Sequence, residues 1–412
     1  MSNQILTPTM YTMESLRILV NNMVFSKNAS REYDPKFGVS GAKIGYTLNI
    51  RRPARYTVST GAALATQDYT ETSLPLTLTT QAHVDTTFTT ADMTVSLDEF
   101  SDRVLKPVMP AIANKIDFDG LVNAQNTVGN HVGTPGTLPA TAAALLAATQ
   151  RLDETATPRD GQRSLVLDPA SNASLINGLS GLFQSASRIA QQYEDGQFVD
   201  ARNTLGLMIA MDQNISMHTV GPLGGTPLVN GANQGLSAGW ANTTSLVTDG
   251  WTAAAASRLK AGDIITLAGV NMVNPQSRVS TGQAAQFVVT ADVSSDAGGN
   301  ATVVISPAII AGGPFQNVTG FAADNAAITV VGTASTAYRR NLAYHKDAFR
   351  LGTADLIEVS QFGAWGARKS YNGVSMRVAR QYAIATDTVP CRTDVLYGWA
   401  TVYQELATQV AG

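Results

Sequence analysis

At Gly221-Pro222-Leu223-Gly224-Gly225 the chain changes character. From residue 222 to residue 337 charges are sparse and Thr, Gly, Val and Ala dominate. Short apolar runs, such as Ile264 to Leu267, Phe287 to Val289 and Thr302 to Ile305, recur there between turns. Strand patterns of this length and spacing predict an all-β module with a two-layer core of its own. The flanks read differently. Ser164-Leu165-Val166-Leu167 is a buried-strand pattern, followed by Asp168-Pro169 and a helix through Leu175, Leu179 and Phe183. Mixed patterns resume at Tyr338 to Leu351, with strands at Val374 to Val378 and Val395 to Tyr403. The module is therefore expected to be an insertion whose ends join neighbouring points of an α+β host.

The first 160 residues add elements that one small core does not need. Leu16, Leu19, Val20, Met23 and Val24 give residues 12–27 an apolar helical stripe, too short to be stable alone, so it must dock on something. Residues 30–38 are polar, with Tyr33, Pro35 and Phe37, and read as an extended arm. From Ile44 the period changes to two through Tyr46, Leu48 and Ile50, and a second alternating set runs from Leu74 through Val84 to Phe88. With small, turn-forming residues from Gly61 to Asp68 between them, these predict a projecting β-hairpin with arms of about 15 residues, a reach near 50 Å. Ser96-Leu97-Asp98-Glu99 fits a capping box. The helix it opens carries Leu97, Phe100, Val104, Val108, Ile112 and Ile116 on one face, with a kink or break expected at Pro107 and Pro110. A Gly/Pro-rich linker from Gly129 to Pro139 precedes a helix from Ala140 to Glu154.

Chemistry is thin. Of 412 residues only 14% are charged, and 28 basic against 31 acidic side chains leave a net charge of −3. No overall positive field exists to hold nucleic acid by counterion release. His83, His131, His218 and His345 lie in four separate segments without metal-ligand spacing, and Cys391, the only cysteine, reads as a small buried hydrophobe. No nucleophile elbow, P-loop or dinucleotide glycine pattern occurs. The tightest acidic pair, Asp117 and Asp119, reads as helix-end charges and caps. Arg51, Arg52 and Arg55 are the densest basic cluster, open to three readings: a solvated strand end, a contact with acidic residues of a neighbouring subunit, or a contact with nucleic acid. Without a secretory leader or a run of about 18 apolar residues, the chain is expected to start at Met1 and to be soluble.

A series of motifs in order resembles a known family. They are Leu19-Val20-Asn21-Asn22, Arg31-Glu32-Tyr33, Phe37-Gly38, Lys43-Ile44-Gly45 running into Ile50-Arg51-Arg52-Pro53, and Pro107-Val108-Met109-Pro110-Ala111-Ile112-Ala113 with Ile116-Asp117. Ala261-Gly262-Asp263-Ile264, Ala268-Gly269-Val270, Asn274-Pro275 and Ser306-Pro307-Ala308 follow, then Tyr344-His345-Lys346-Asp347-Ala348-Phe349 and Asp394-Val395-Leu396-Tyr397-Gly398. Together they resemble the major capsid proteins of tailed bacteriophages, in particular the short-tailed-phage coat subfamily with an inserted immunoglobulin-like, telokin-like domain.

The resemblance implies an α+β phage capsid fold: an N-arm (1–43), an extended loop (44–95), a peripheral domain with a spine helix (96–160), an axial domain (161–221 and 338–400), an inserted β domain (222–337) and a C-terminal segment (401–412). It implies a structural protein without enzymatic activity, cofactor or metal, which forms hexamers and pentamers of an icosahedral virion shell around double-stranded DNA and touches that DNA with little specificity. Assembly would take place in the host cytoplasm, away from membranes. A separate scaffolding protein, a portal and a decoration protein are the implied partners, since the recognisable arm begins within the first dozen residues and leaves no room for a fused scaffold. Arg51, Arg52, Arg55, Tyr33 and Phe37 are the expected inter-subunit contacts. The absence of lysine from Ile44 to Val95 argues against the lysine–asparagine cross-link of some relatives. A surface adhesin or carbohydrate-binding β protein is the competing reading, and a hydrolase with a dispersed triad a third.

Overall fold

The computed structural model describes residues 8–31, 47–89, 106–179 and 205–412, and the chain divides into two compact units. One comprises Met1–Ile50, Ser73–Gly120 and Phe349–Ala400. Its first element is the helix Pro8–Asn22, which buries Leu16, Leu19 and Val20; a short 3-10 turn, Ser26–Asn28, follows. The apolar stripe packs with Met109, Ile112 and Ile116 of the helix Lys106–Thr127 and with Val374, Met376, Val378 and Val395 of a sheet. The described helix starts at Lys106, with Pro107 in its first turn, where a missing amide costs nothing, and Pro110 inside it; the residues before it, on which the expected break also depends, lie outside the described residues. Met109, Ile112, Ala113 and Ile116 are buried along it, which offsets the hydrogen bond that Pro110 removes. The proposed capping box at Ser96 lies outside the described residues.

The sheet of this unit runs Phe349–Ala354, Thr388–Thr401, Val374–Arg380, Trp365–Tyr371. Thr80–Thr89 joins it, antiparallel along Thr388 to Tyr397, and turns Ala82, Val84 and Phe88 to the core. The extended hairpin is accordingly shorter than the alternating runs suggested. Among the described residues Thr47–Arg52 and Thr72–Thr77 pair as a ribbon, and 53–71 form the loop between them. The second alternating run had a better partner: a strand of up to 14 residues beside it, with a buried face to fill. Cys391 is buried in this core, as its solitary occurrence suggested.

The other unit comprises Arg51–Thr72, Leu121–Ala348 and Thr401–Gly412. Its α+β part is a five-stranded sheet in the order His131–Val132, Ala407–Val410, Asn341–His345, Arg163–Leu167, Met208–Met211. The helix Ala142–Glu154 lays Leu145, Ala148 and Leu152 on that sheet, with Leu175 of the helix Pro169–Leu179 in the same core.

The inserted β domain leaves and re-enters through adjacent strands, Met217–Thr219 pairing antiparallel with Ala337–Arg339. Six strands follow in the order Ile328–Val330, Ile264–Val273, Ser280–Val289, Ala301–Ser306, Thr244–Asp249, Leu228–Val229. The two ends of this sheet meet. Leu228 bridges Ala327, the Val229 amide donates to the Ala326 carbonyl at 2.9 Å, and the Ile328 amide donates to the Pro227 carbonyl at 3.0 Å. The sheet is therefore closed on itself around Leu246, Ile265, Leu267, Phe287, Val289, Val303 and Ile305, where a two-layer core was expected. Alternation along each strand predicts the buried face but does not distinguish one closed sheet from two stacked ones. Closure removes the free edges that would recruit other strands. At the base of the insert the buried Asp263 carboxylate accepts from the Lys260 amide (2.8 Å), the Gly221 amide (3.1 Å) and His218 Nε2 (2.7 Å).

Candidate functional site

The basic cluster singled out by the sequence falls at the root of the 53–71 loop. Pro53 ends the ladder, because it has no amide to donate. The loop has no regular secondary structure, and its neck is crossed by Gln67, whose side-chain oxygen accepts from the Thr57 amide (2.8 Å) and hydroxyl (2.9 Å). Its large apolar side chains are open: Val58 and Leu64 are each 92% exposed, Tyr69 65% and Tyr56 55%. The loop therefore has no core, and its direction is set at the root.

Arg52 is the centre of that root. Its guanidinium lies 4.7 Å from the Trp240 ring centroid and 5.9 Å from that of Tyr403. Nε donates to Thr72 Oγ1 at 3.1 Å and Nη1 to the Val402 carbonyl at 3.1 Å. Burial lowers its pKa from the ordinary guanidinium value; Glu405 opposes this and Arg55 adds to it. Arg55 pairs with Glu405 and stands 5.9 Å from the Phe315 ring centroid. Arg278 reaches the loop from the insert, Nη2 donating to the Tyr56 carbonyl (2.9 Å) and the Pro314 carbonyl (3.2 Å). Arg278 has φ 56°, a left-handed conformation that costs a non-glycine residue energy. The turn before it supports the strain: Asn274 Oδ1 accepts from the amides of Gln276 (2.9 Å) and Ser277 (3.0 Å).

These side chains line a cavity of about 690 Å³ whose charged residues are Arg52, Arg55, Arg278 and Glu405. Neither Arg52 nor Arg278 has a carboxylate within ion-pair distance among the described residues. The lining holds no His, Cys, Lys or Asp, and the one carboxylate is already engaged by Arg55. The site is thus equipped to hold backbone and aromatic surfaces in place, by guanidinium stacking and charge-assisted hydrogen bonds.

The five candidate contact residues separate accordingly. Arg52 and Arg55 are taken up inside the chain, whereas the Arg51 side chain is 80% exposed, 3.5 Å from Glu71. Tyr33 and Phe37 lie outside the described residues. Trp240, Arg278, Phe315, Tyr403 and Glu405 were not legible as site residues, since each is remote in sequence from Arg52. The available signal was indirect: three arginines in five positions of a sparsely charged chain need partners, and Tyr403-Gln404-Glu405 supplies an aromatic and an acid together.

Asp117 and Asp119 are not at a helix end, because the helix runs on to Thr127. Asp117 is buried and accepts from the Val24 (2.7 Å) and Ser26 (2.9 Å) amides, tying down the turn after the first helix. Asp119 accepts from Lys115 Nζ (2.6 Å) and the Tyr397 hydroxyl (2.7 Å). Burial, then that hydrogen bond, raises the Tyr397 pKa. Among the described residues no three His, Cys, Asp or Glu side chains are placed to hold a metal, and no helix is long and apolar enough to cross a membrane.

Comparison with known proteins gives one decisive match and several distant likenesses. No curated protein matches the chain. Among solved structures, similarity extends to a chain titled "Mycobacterium phage Che8" (12% identity, TM-score 0.43, covering 94% of this chain and 90% of that one). A second is titled "Capsid structure of the Cyanophage P-SCSP1u" (10% identity, TM-score 0.41, covering 92% and 86%). A third, "CUS-3 coat protein I-domain", is 28% identical at TM-score 0.20 and covers 26% of this chain and 96% of that one. The family described as "P22 coat protein - gene protein 5" matches residues 9–412, which include the loop root and the inserted domain. By that match, across nearly its whole length, the chain belongs to the P22 coat protein family.

Proposed function

We propose that this chain is the major capsid protein of a tailed bacteriophage, self-assembling as hexamers and pentamers into an icosahedral shell that encloses the double-stranded DNA genome. The observation that carries the reading is the coat-family match over residues 9–412. The weak net charge fits a shell that surrounds DNA without gripping it. A separate scaffolding protein directs closure in the host cytoplasm, and a portal and a decoration protein complete the particle. The chain works as a structural element and catalyses nothing.

The N-arm, with Tyr33 and Phe37, and the 53–71 loop contact adjacent copies. Arg51 meets an acidic strip of the neighbour directly, while Arg52 and Arg55 serve the same contact by holding the loop. Summed over arm, loop and body, such contacts exceed the ~1,600 Å² of a standard interface. Negative-stain microscopy of the purified chain, alone and with a scaffolding protein, tests the reading. Closed shells or capsomer rings are expected; discrete monomers under every assembly condition would overturn it.

A further inference from the structure

We infer that the inserted β domain positions the extended loop for assembly, with Arg52, Trp240 and Arg278 as the positioning residues. The inference rests on the shell reading above and assigns the insert a task within it. A loop without a core points wherever its root directs it, and the insert supplies much of that root. Trp240 offers the ring beneath Arg52, Arg278 binds the Tyr56 carbonyl, and Phe315 lies beside Arg55. The seat is firm. Trp240, Leu236 and Ala241 pack against the buried cluster Ala308, Ile310 and Phe315, so the ring cannot swing away without opening apolar surface. Among the described residues no carboxylate lies within ion-pair distance of Arg52, whose charge is held by the Trp240 and Tyr403 rings, two neutral oxygens and, at longer range, Glu405. Arg278 keeps a costly left-handed backbone where its side chain reaches the loop, as expected of a residue selected for where it points.

Distance measurement between two spin labels in the full, unassembled chain tests this. Leu64→Cys places one label on the loop and Ser245→Cys the other on an exposed barrel position; Cys391 is buried and does not compete. The background chain and Trp240→Phe should give one narrow distance peak. Trp240→Ala and Arg52→Gln should each broaden it at least twofold, and the double variant should be no broader than either single one. Should Trp240→Ala lower the unfolding midpoint of the barrel, Arg52→Gln, which changes no barrel residue, decides. A peak as narrow as the background's in Arg52→Gln, or additive broadening in the double variant, would overturn the clamp. Microscopy of unlabelled assemblies reads the second half: misshapen or mis-sized particles are expected for Trp240→Ala, and normal shells despite a loosened loop would sink the assembly role. The label distances are read before assembly, so failure of the wild-type chain to form shells would remove the shell reading and leave the clamp itself still measured.

Discussion

The inserted barrel and the 53–71 loop belong to the same unit of the chain and are stabilised in opposite ways. The barrel is over-determined: its strands close on themselves, and many apolar side chains share one core, Phe287, Val289, Val303 and Ile305 among them. The loop buries none of its outer apolar residues and hangs on a few directional contacts at Arg52, Arg55 and Arg278. Burial is non-directional and cumulative, so loss of one contact is shared by the rest. Stacked guanidiniums and single hydrogen bonds are few and oriented, so loss of one changes where a segment points. Substitutions in the barrel should therefore be read in stability and those at the root in geometry.

The largest effect expected on the barrel side concerns where it can be cut free. A segment spanning residues 217–339 should unfold cooperatively by itself, since it contains the closed sheet, its core and the pairing of Met217–Thr219 with Ala337–Arg339. The shorter segment 222–337 loses that ribbon and strips Asp263 of His218 and the Gly221 amide. A buried carboxylate deprived of partners costs about 1–3 kcal/mol, so the shorter segment should melt lower in calorimetry. Equal melting temperatures would mean that the barrel is independent of its base. A non-cooperative transition in the longer segment would remove the contrast with the loop altogether.

The same contrast explains what could be read in advance. Ile264 to Leu267, Phe287 to Val289 and Thr302 to Ile305 are all in strands, because alternation is written into neighbouring residues. The alternation of Ala82, Val84 and Phe88 was equally legible, but not which strand would take it: the partner, Thr388 to Tyr397, lies some 300 positions away. Asp117 looked like a helix-end charge because its use, two amides beyond the first helix, exists only after the fold forms. The loop root is the extreme case. Arg51, Arg52 and Arg55 are indistinguishable in sequence, and only the placement of Trp240, Val402 and Glu405 makes one of them exposed and two of them internal.

Within any one pH unit, a smaller effect separates the two regions. His131 sits on the short strand beside the barrel, its amide donating to Gln286 Oε1 at 2.7 Å, and its pKa is lowered to about 3 by burial, with Arg340 and Arg151 adding positive charge nearby. An unfolded histidine titrates near 6.5. Between those values the unfolded chain binds a proton that the folded chain refuses, so this contribution is fully present above about pH 6.5 and is lost as pH falls toward 3. Each pH unit inside that window costs at most about 1.4 kcal/mol. Chemical unfolding at stepped pH should show the slope in the wild type and a flatter one in His131→Asn. The stacking and hydrogen-bonding contacts of the clamp contain no imidazole, and label distances across it should not follow the pH trend.

The smallest effect expected belongs to Arg51. Among the described residues its one ion pair, with Glu71 at 3.5 Å, is solvent-exposed, and such pairs contribute about 0.2–1 kcal/mol or less. Replacing all three arginines at once would confuse two roles, because Arg52 and Arg55 hold the loop inside the chain. Arg51→Gln alone leaves the clamp intact, so the unfolding midpoint of the monomer and the label distances should stay at wild-type values. Its effect should appear only between copies, where the same weak contact recurs at every subunit boundary. The critical assembly concentration, read by light scattering, should rise modestly. The difference from wild type should also shrink as added salt screens the pair over the ~10 Å Debye length of 0.1 M solution. An assembly isotherm that coincides with wild type at every salt concentration would take Arg51 out of the interface, and the loop would then act between subunits through the exposed Val58 and Leu64 instead.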